Sequence, residues 1–190
     1  MVQVGDTVES LPTPCLFADL DVVEANHRSL LKSVQGRAYI RPHAKACKSA
    51  KLCRWLCENG CVGVCVSKLS EAVQLVQNGV LNVHVSGQVV SVDGRKERVL
   101  SQLSTIPGAR ISVCVDSVEN VQALHAAAKA TGDGARLHVI IEVESGQKRC
   151  GVPREDTDLT LRIADVVKES APYLQLDGLQ VYHGMAQQIR

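Results

Sequence analysis

The chain is poor in aromatic residues: one Trp, one Phe and three Tyr make up 3% of its 190 residues. Its interior must be filled by Val, Leu, Ile, Ala and Cys rather than by rings. It also lacks an excess of charge. With 21 Lys and Arg against 20 Asp and Glu, the formal net charge is +1, too little to gather nucleic acid or an anionic membrane. No apolar run approaches the ~18 residues of a spanning helix. Residues 1–10 show no basic start leading into an apolar stretch, so they do not read as a secretory leader. The Gly-rich phosphate loops, the Gly-x-Ser-x-Gly elbow and the His-Glu-x-x-His pair are missing too. These absences point to a globular protein of the cytoplasm, without a nucleic-acid or membrane partner.

Cysteine, by contrast, is plentiful, with eight residues. Without an export signal a disulfide scaffold is not expected, and the cysteines read mainly as buried thiols. Cys53, Cys57, Cys61 and Cys65 fall four apart, a spacing that suggests a metal cluster. Gly60 and Gly63 interrupt the segment, however, and zinc-binding pairs sit on tighter turns. Small buried apolar side chains are the expected role.

The rest of the chain alternates between two periods. Short β-branched runs at 38–41, 62–67, 83–86, 111–116, 137–143 and 176–182 predict strands. Several are almost wholly apolar, as in Val139-Ile140-Ile141, which predicts burial on both faces of a parallel sheet. Between them, Leu69, Ala72, Val73 and Val76 recur at helical spacing, as do Val118, Val121, Leu124 and Ala128. Leu159, Ile163, Val166 and Val167 mark a third helix, stopped by Pro172. A leading helix runs from about Asp21 to Val34, with Asp19 or Asp21 as its cap. The group Arg95-Lys96-Glu97-Arg98 reads as a solvated helix face. Strand–helix units of this size wind into either a barrel or a doubly wound sheet. About six strands are visible, whereas a closed barrel uses eight and typically ~250 residues. On the pattern alone the choice between the two stays open.

In a barrel, chemistry gathers where strands end. The ends read Arg41-Pro42-His43-Ala44-Lys45, Ser67, Ser86-Gly87, Asp116, Glu144-Ser145-Gly146 and Tyr182-His183-Gly184. Lys45 stands out, placed beside His43 and near Lys48. A partly desolvated lysine among cations is a nucleophile suited to a carbonyl compound. A solvated loop lysine is the plainer alternative. The loop Gly146-Gln147-Lys148-Arg149-Cys150-Gly151 is a second candidate, able to offer N–H groups and a guanidinium to an anion.

Taken in order, Thr13-Pro14-Cys15-Leu16 with Asp19, Arg41-Pro42-His43-Ala44-Lys45, Gly63-Val64-Cys65-Val66 with Glu71-Ala72, Glu142-Val143 leading to Arg149-Cys150-Gly151-Val152, and Gly178-Leu179-Gln180 with Tyr182 resemble one family. It is that of D-threonine aldolases and D-serine dehydratases, pyridoxal 5′-phosphate enzymes of the alanine racemase type. The resemblance runs from about Leu11 to Gln187. It implies that residues 1–190 are an incomplete α/β parallel barrel, about six of eight strands, without the family's C-terminal β domain. It implies pyridoxal phosphate on Lys45, with His43 in the cofactor set, Arg149 near the cofactor ring and Tyr182 packed against it. The implied activity is that of a lyase on small D-3-hydroxy amino acids. A non-catalytic cofactor-binding protein and a racemase of the same fold are the alternatives. A divalent metal, Zn or Mn, is implied only for a full-length parent, and a homodimer is a further implication. Here Lys45-Ala46-Cys47-Lys48 replaces the family's Lys-Thr-His-Lys, and Met185 stands where many members have His.

Overall fold

A computed structural model describes residues 3–188, which divide into two units, one ending at Tyr39 and the other beginning at Ile40. The first unit carries a 3-10 turn, Val8–Ser10, and helix α1, Leu20–Val34. As expected, Asp19 starts α1: its Oδ1 accepts the N–H groups of Asp21 at 3.0 Å and Val22 at 3.2 Å.

The second unit is a parallel sheet covered by helices. Its elements are α2 (Ala50–Glu58), β1 (Val64–Val66), α3 (Leu69–Gln77), β2 (Asn82–Gln88), α4 (Arg95–Ser104), β3 (Arg110–Val115), α5 (Val118–Thr131), β4 (Leu137–Glu144), β5 (Val152–Pro153), α6 (Thr157–Glu169) and β6 (Leu174–Val181). Side-chain caps set several helix starts. Ser49 accepts from Leu52 N–H, Ser117 from Asn120 N–H and Asp156 from Leu159 N–H. Glu71 reaches back to the N–H groups of Ser67 and Lys68, which fixes the start of α3.

Strand order decides between the two architectures. β1, β2, β3 and β4 pair in sequence, and β6 takes the remaining edge of β4, all parallel. A doubly wound sheet reverses its order at a switch point; this one does not. The winding is that of a barrel, with six strands present and the ring incomplete. Among the described residues no helix is long and apolar enough to cross a membrane.

Two strands depart from the sequence pattern. The predicted first strand, 38–41, is reduced to a single bridge, His43 to Cys65. The segment does lie along β1, since Ile40 O accepts Val62 N–H at 3.0 Å and Pro42 O accepts Cys65 N–H at 2.8 Å. Pro42 has no N–H to return, so the ladder is one-sided. β5, in turn, escapes the pattern because it has only two residues. It pairs Val152 and Pro153 with Val143 and Glu144, beyond the stretch of β4 that β3 occupies.

The strands are buried on both sheet faces, as expected, but the two faces differ in polarity. Val64, Val66, Val83, Val85, Ile111, Val113, Val115, Leu137, Val139 and Ile141 join Leu75, Leu100, Leu124 and Ile163 in a core between sheet and helices. The alternating positions of the same strands, among them His84, Ser112, His138 and Glu142, are buried but polar. They face the inside of the curved sheet. The solvated face expected at 95–98 is corrected at one residue: Glu97 is only 1% exposed, its carboxylate taken by the N–H and hydroxyl of Ser91. Of the cysteines, Cys53, Cys61 and Cys114 are buried, Cys57 and Cys65 are half-buried, and Cys15, Cys47 and Cys150 are exposed. α2 ends at Glu58, so Cys61 and Cys65 leave its face.

Candidate active site at the carboxyl ends of the strands

Lys45 sits in a 3-10 turn, Ala44–Ala46, with its side chain exposed. The imidazole of His43 holds the turn. Its Nδ1 accepts the Lys45 backbone N–H at 3.2 Å, and its Nε2 lies 3.1 Å from Ser67 Oγ, at the end of β1. These partners assign a neutral ring, with Nδ1 as acceptor and Nε2–H as donor. Partial burial, followed by the charge of Lys45, pushes the His43 pKa down and favours that form. Behind the turn, Lys48 Nζ pairs with Glu71 at 3.1 Å, which with the capped N–H groups holds that carboxyl below its usual range despite desolvation. Turn, strand end and helix start are thus one hydrogen-bonded unit.

At the other side of the sheet, β4 and β6 end together. The Arg149 guanidinium lies over the Tyr182 ring, 4.4 Å from its centroid. A Cβ on Gly184 would fall 2.5 Å from Tyr182 Oη, so the ring folds back over a position with room only for glycine. Ser145 Oγ donates to Tyr182 O at 3.0 Å, and Gln147 Oε1 accepts Gly184 N–H at 2.9 Å. The sequence pair Arg149 and Tyr182 is therefore brought into contact.

The loop between them is not a free anion cradle. Glu144 Oε1 accepts the N–H groups of Gly146 at 2.6 Å and Lys148 at 2.7 Å. Asp116 Oδ2 accepts Gly151 N–H at 3.0 Å. The loop's donors are occupied by the chain's own carboxylates, and the backbone charges complement them so well that Glu144 is held below the usual carboxylate range. Gly151 adopts φ +104°, and its approach to β4 leaves no room for a Cβ, which would lie 2.7 Å from Glu144 N.

Below these loops the inner face brings Glu142 and Gln180 of the family motifs together with His84, Gln88, Ser112 and Cys114, which sequence reading did not single out. His84 Nε2 lies 2.7 Å from Gln180 Oε1, and Nδ1 lies 2.9 Å from Ser112 Oγ. Burial drives the His84 pKa down, which suits a neutral ring donating to Gln180 and accepting from Ser112. Gln88 Nε2 donates to the buried carboxylate of Glu142 at 2.7 Å. Burial, then the neighbouring Glu142 charge, pushes the Cys114 thiol far up. At the amino end of the sheet, Asp177 accepts from Arg110 at 2.5 Å and from His138 at 3.0 Å. The signal was a polar residue between two apolar ones: Val83-His84-Val85, Ile111-Ser112-Val113, Leu137-His138-Val139, Ile141-Glu142-Val143 and Leu179-Gln180-Val181. Among the described residues, no group of three or more His, Cys, Asp or Glu is placed to hold a metal ion.

Comparison with known proteins agrees with this fold. A D-threonine aldolase of Arthrobacter sp is 36% identical over 189 residues, covering 99% of this chain and 48% of the relative. A 3-hydroxy-D-aspartate aldolase of Paracoccus denitrificans is 33% identical, covering 97% of this chain and 48% of the relative. The crystal structure of D-threonine aldolase from Filomicrobium marinum superposes with a TM-score of 0.87 at 35% identity, over 96% of this chain and 47% of that one. The chain thus spans about half the length of these relatives. The family model of the alanine racemase N-terminal domain matches residues 18–190, and the chain belongs to that family.

Proposed function

We propose that this chain is the cofactor-binding part of a pyridoxal phosphate-dependent lyase acting on D-3-hydroxy amino acids. The observation that carries the reading is the placement of Lys45 and of the Arg149–Tyr182 pair at the carboxyl ends of one parallel, barrel-wound sheet.

The donor set suits the cofactor. An exposed primary amine at Lys45 offers the point of covalent attachment, and the Tyr182 ring backed by a cation offers a flat, electron-rich surface. When bound, pyridoxal phosphate supplies an electron sink for the breaking of a bond at the substrate's Cα. The chain's own residues do the rest. His43 fixes the backbone from which the Lys45 side chain projects, and its lowered basicity keeps it an acceptor rather than a further cation. Arg149 places positive charge beside the ring surface. With the cofactor held by a substrate amine instead, Lys45 Nζ would be free to take a proton. A base at the α-proton would lead to loss of the β-hydroxyl as water, and then to a keto acid and ammonia. A base at the β-hydroxyl proton leads to carbon–carbon cleavage, with glycine and an aldehyde as products. The names of the aldolase relatives favour the second. The divalent metal of a longer parent would draw its ligands from residues outside this chain.

The test is an absorbance spectrum of the purified chain with pyridoxal phosphate, before and after borohydride, for wild type and Lys45→Ala. A long-wavelength band that borohydride fixes to the wild type and not to the variant is expected. No fixed adduct in a chain shown by circular dichroism to be folded would overturn the assignment. With D-threonine added, glycine and acetaldehyde would mark the aldolase, and 2-oxobutanoate would mark the dehydratase. A bound cofactor unchanged by either D-threonine or D-serine would favour a binding protein.

A further inference from the structure

Two residues beyond Lys45, the turn ends in a thiol that has a partner. Cys47 closes the 3-10 turn, donating its N–H to Ala44 O at 3.2 Å, and its side chain is exposed. Cys53 lies in α2 with 1% of its surface accessible. The two sulfurs are 3.7 Å apart. We propose that Cys47 and Cys53 form an oxidative modification site, in which the exposed thiol meets a peroxide and the buried one resolves it to a disulfide that ties the Lys45 turn to α2.

Position divides the roles. An oxidant in water reaches Cys47 and not Cys53. Burial first, and the neighbouring Cys47 charge next, push the Cys53 thiol up to about 12, so it is a poor first reactant. Conversion of Cys47 to an uncharged sulfenic acid removes the contribution of its charge. The chemistry balances with hydrogen peroxide as the co-reactant. The Cys47 thiol and peroxide give a sulfenic acid and water, as the O–O bond breaks and sulfur is oxidised. Attack by Cys53 sulfur on Cys47 sulfur then forms the S–S bond and expels the sulfenic oxygen as a second water, with the Cys53 proton. A disulfide holds its sulfurs at about 2 Å, so the two sulfurs, now 3.7 Å apart, draw together as the bond forms.

The consequence falls on the lysine turn. Ala44 O accepts the N–H groups of both Cys47 and Lys48, and Lys48 has φ +48°, an unusual value for a side-chain-bearing residue. A tether from Cys47 to α2 would remove the freedom of that turn to open. It would do so whether or not Lys45 carries a cofactor.

Trypsin separates the two thiols, since it cuts after Lys45, Lys48, Lys51 and Arg54. Wild-type chain treated with hydrogen peroxide, alkylated and digested should yield peptide 46–48 linked to peptide 52–54, lighter by two hydrogens than the sum of the reduced pair. The link should vanish on treatment with dithiothreitol and be absent in Cys47→Ser. In Cys53→Ala, checked for folding by circular dichroism, Cys47 should instead accumulate as a sulfenic acid captured by dimedone. Amide exchange across 45–48 should be slower in the linked form. A dimedone adduct on Cys47 in wild type without any link would overturn the proposal. So would linkage of Cys47 to peptide 55–68, which carries Cys57, Cys61 and Cys65. So too would oxidation of Cys15 and Cys150 while Cys47 stays reduced.

Discussion

The His43 imidazole accepts the backbone N–H of Lys45 at 3.2 Å while its other nitrogen meets Ser67 Oγ at 3.1 Å, so one ring clamps the lysine turn to the end of β1. Replacing His43 by Ala removes both contacts. The loss should resemble that of a helix cap, about 1 kcal/mol. Faster amide exchange at Lys45 and Ala46, with the rest of the sheet unchanged, is the signature. Equal exchange in the two proteins would show that the clamp does nothing.

Acid should release the same clamp. Both His43 and His84 have pKa values lowered from 6.5, with burial the leading cause. The unfolded chain therefore takes up these protons more readily than the folded one. Stability is full above about 6.5 and declines as the pH falls through the lowered values. Urea melts across that range should show a smaller decline in His84→Gln than in wild type. An identical pH dependence would argue against the assignment.

Arg149 over Tyr182 is a contact of modest strength, worth about 0.5–1 kcal/mol at an exposed site. Arg149→Ala should therefore melt close to wild type, yet take up pyridoxal phosphate more weakly in a spectral titration. Tyr182→Phe keeps the ring and should bind the cofactor nearly as well as wild type. Unchanged uptake in Arg149→Ala would remove Arg149 from the cofactor set.

Gly151 carries both a left-handed backbone and a close approach to β4. An Ala there must either move the loop or strain it, at a cost of about 1–3 kcal/mol. Thermal melting of Gly151→Ala should drop accordingly, and the Asp116 to Gly151 hydrogen bond should be lost with it. A variant as stable as wild type would show that the loop yields freely.

Asp177 joins Arg110 and His138 at the amino end of the sheet, with its side chain only 14% exposed. Asp177→Ala leaves the two donors without their acceptor, and a loss of about 1–3 kcal/mol is expected. Lys45 lies at the opposite strand ends, so borohydride fixation of pyridoxal phosphate should persist in the folded variant. Loss of fixation without loss of folding would contradict the separation of the two ends.

Much of the fold was legible because it is local. Leu69, Ala72, Val73 and Val76 lie on one helical face, Asp19 is a cap, and runs such as 111–116 announce strands. The first strand was overestimated because hydropathy does not register the missing N–H of Pro42. The polar inner face was not read from the pattern because Val139-Ile140-Ile141 is uniformly apolar and outweighs the single polar residues His138 and Glu142 inside the same predicted strand.

The sequence by itself determined the strand–helix alternation, the cap of the first helix and the family motif around Lys45, since each depends on residues within a turn or two of one another. Tertiary structure decided which way the sheet winds, which face is polar, and which donors remain free. His84 and Gln180 are 96 residues apart and meet only because β2 and β6 curve around a common interior. In the same way, Asp116 takes the N–H of Gly151 only once β3 and β4 lie side by side. A hydrogen bond requires its partners within about 3 Å, and for groups so distant along the chain only the packed sheet sets that distance.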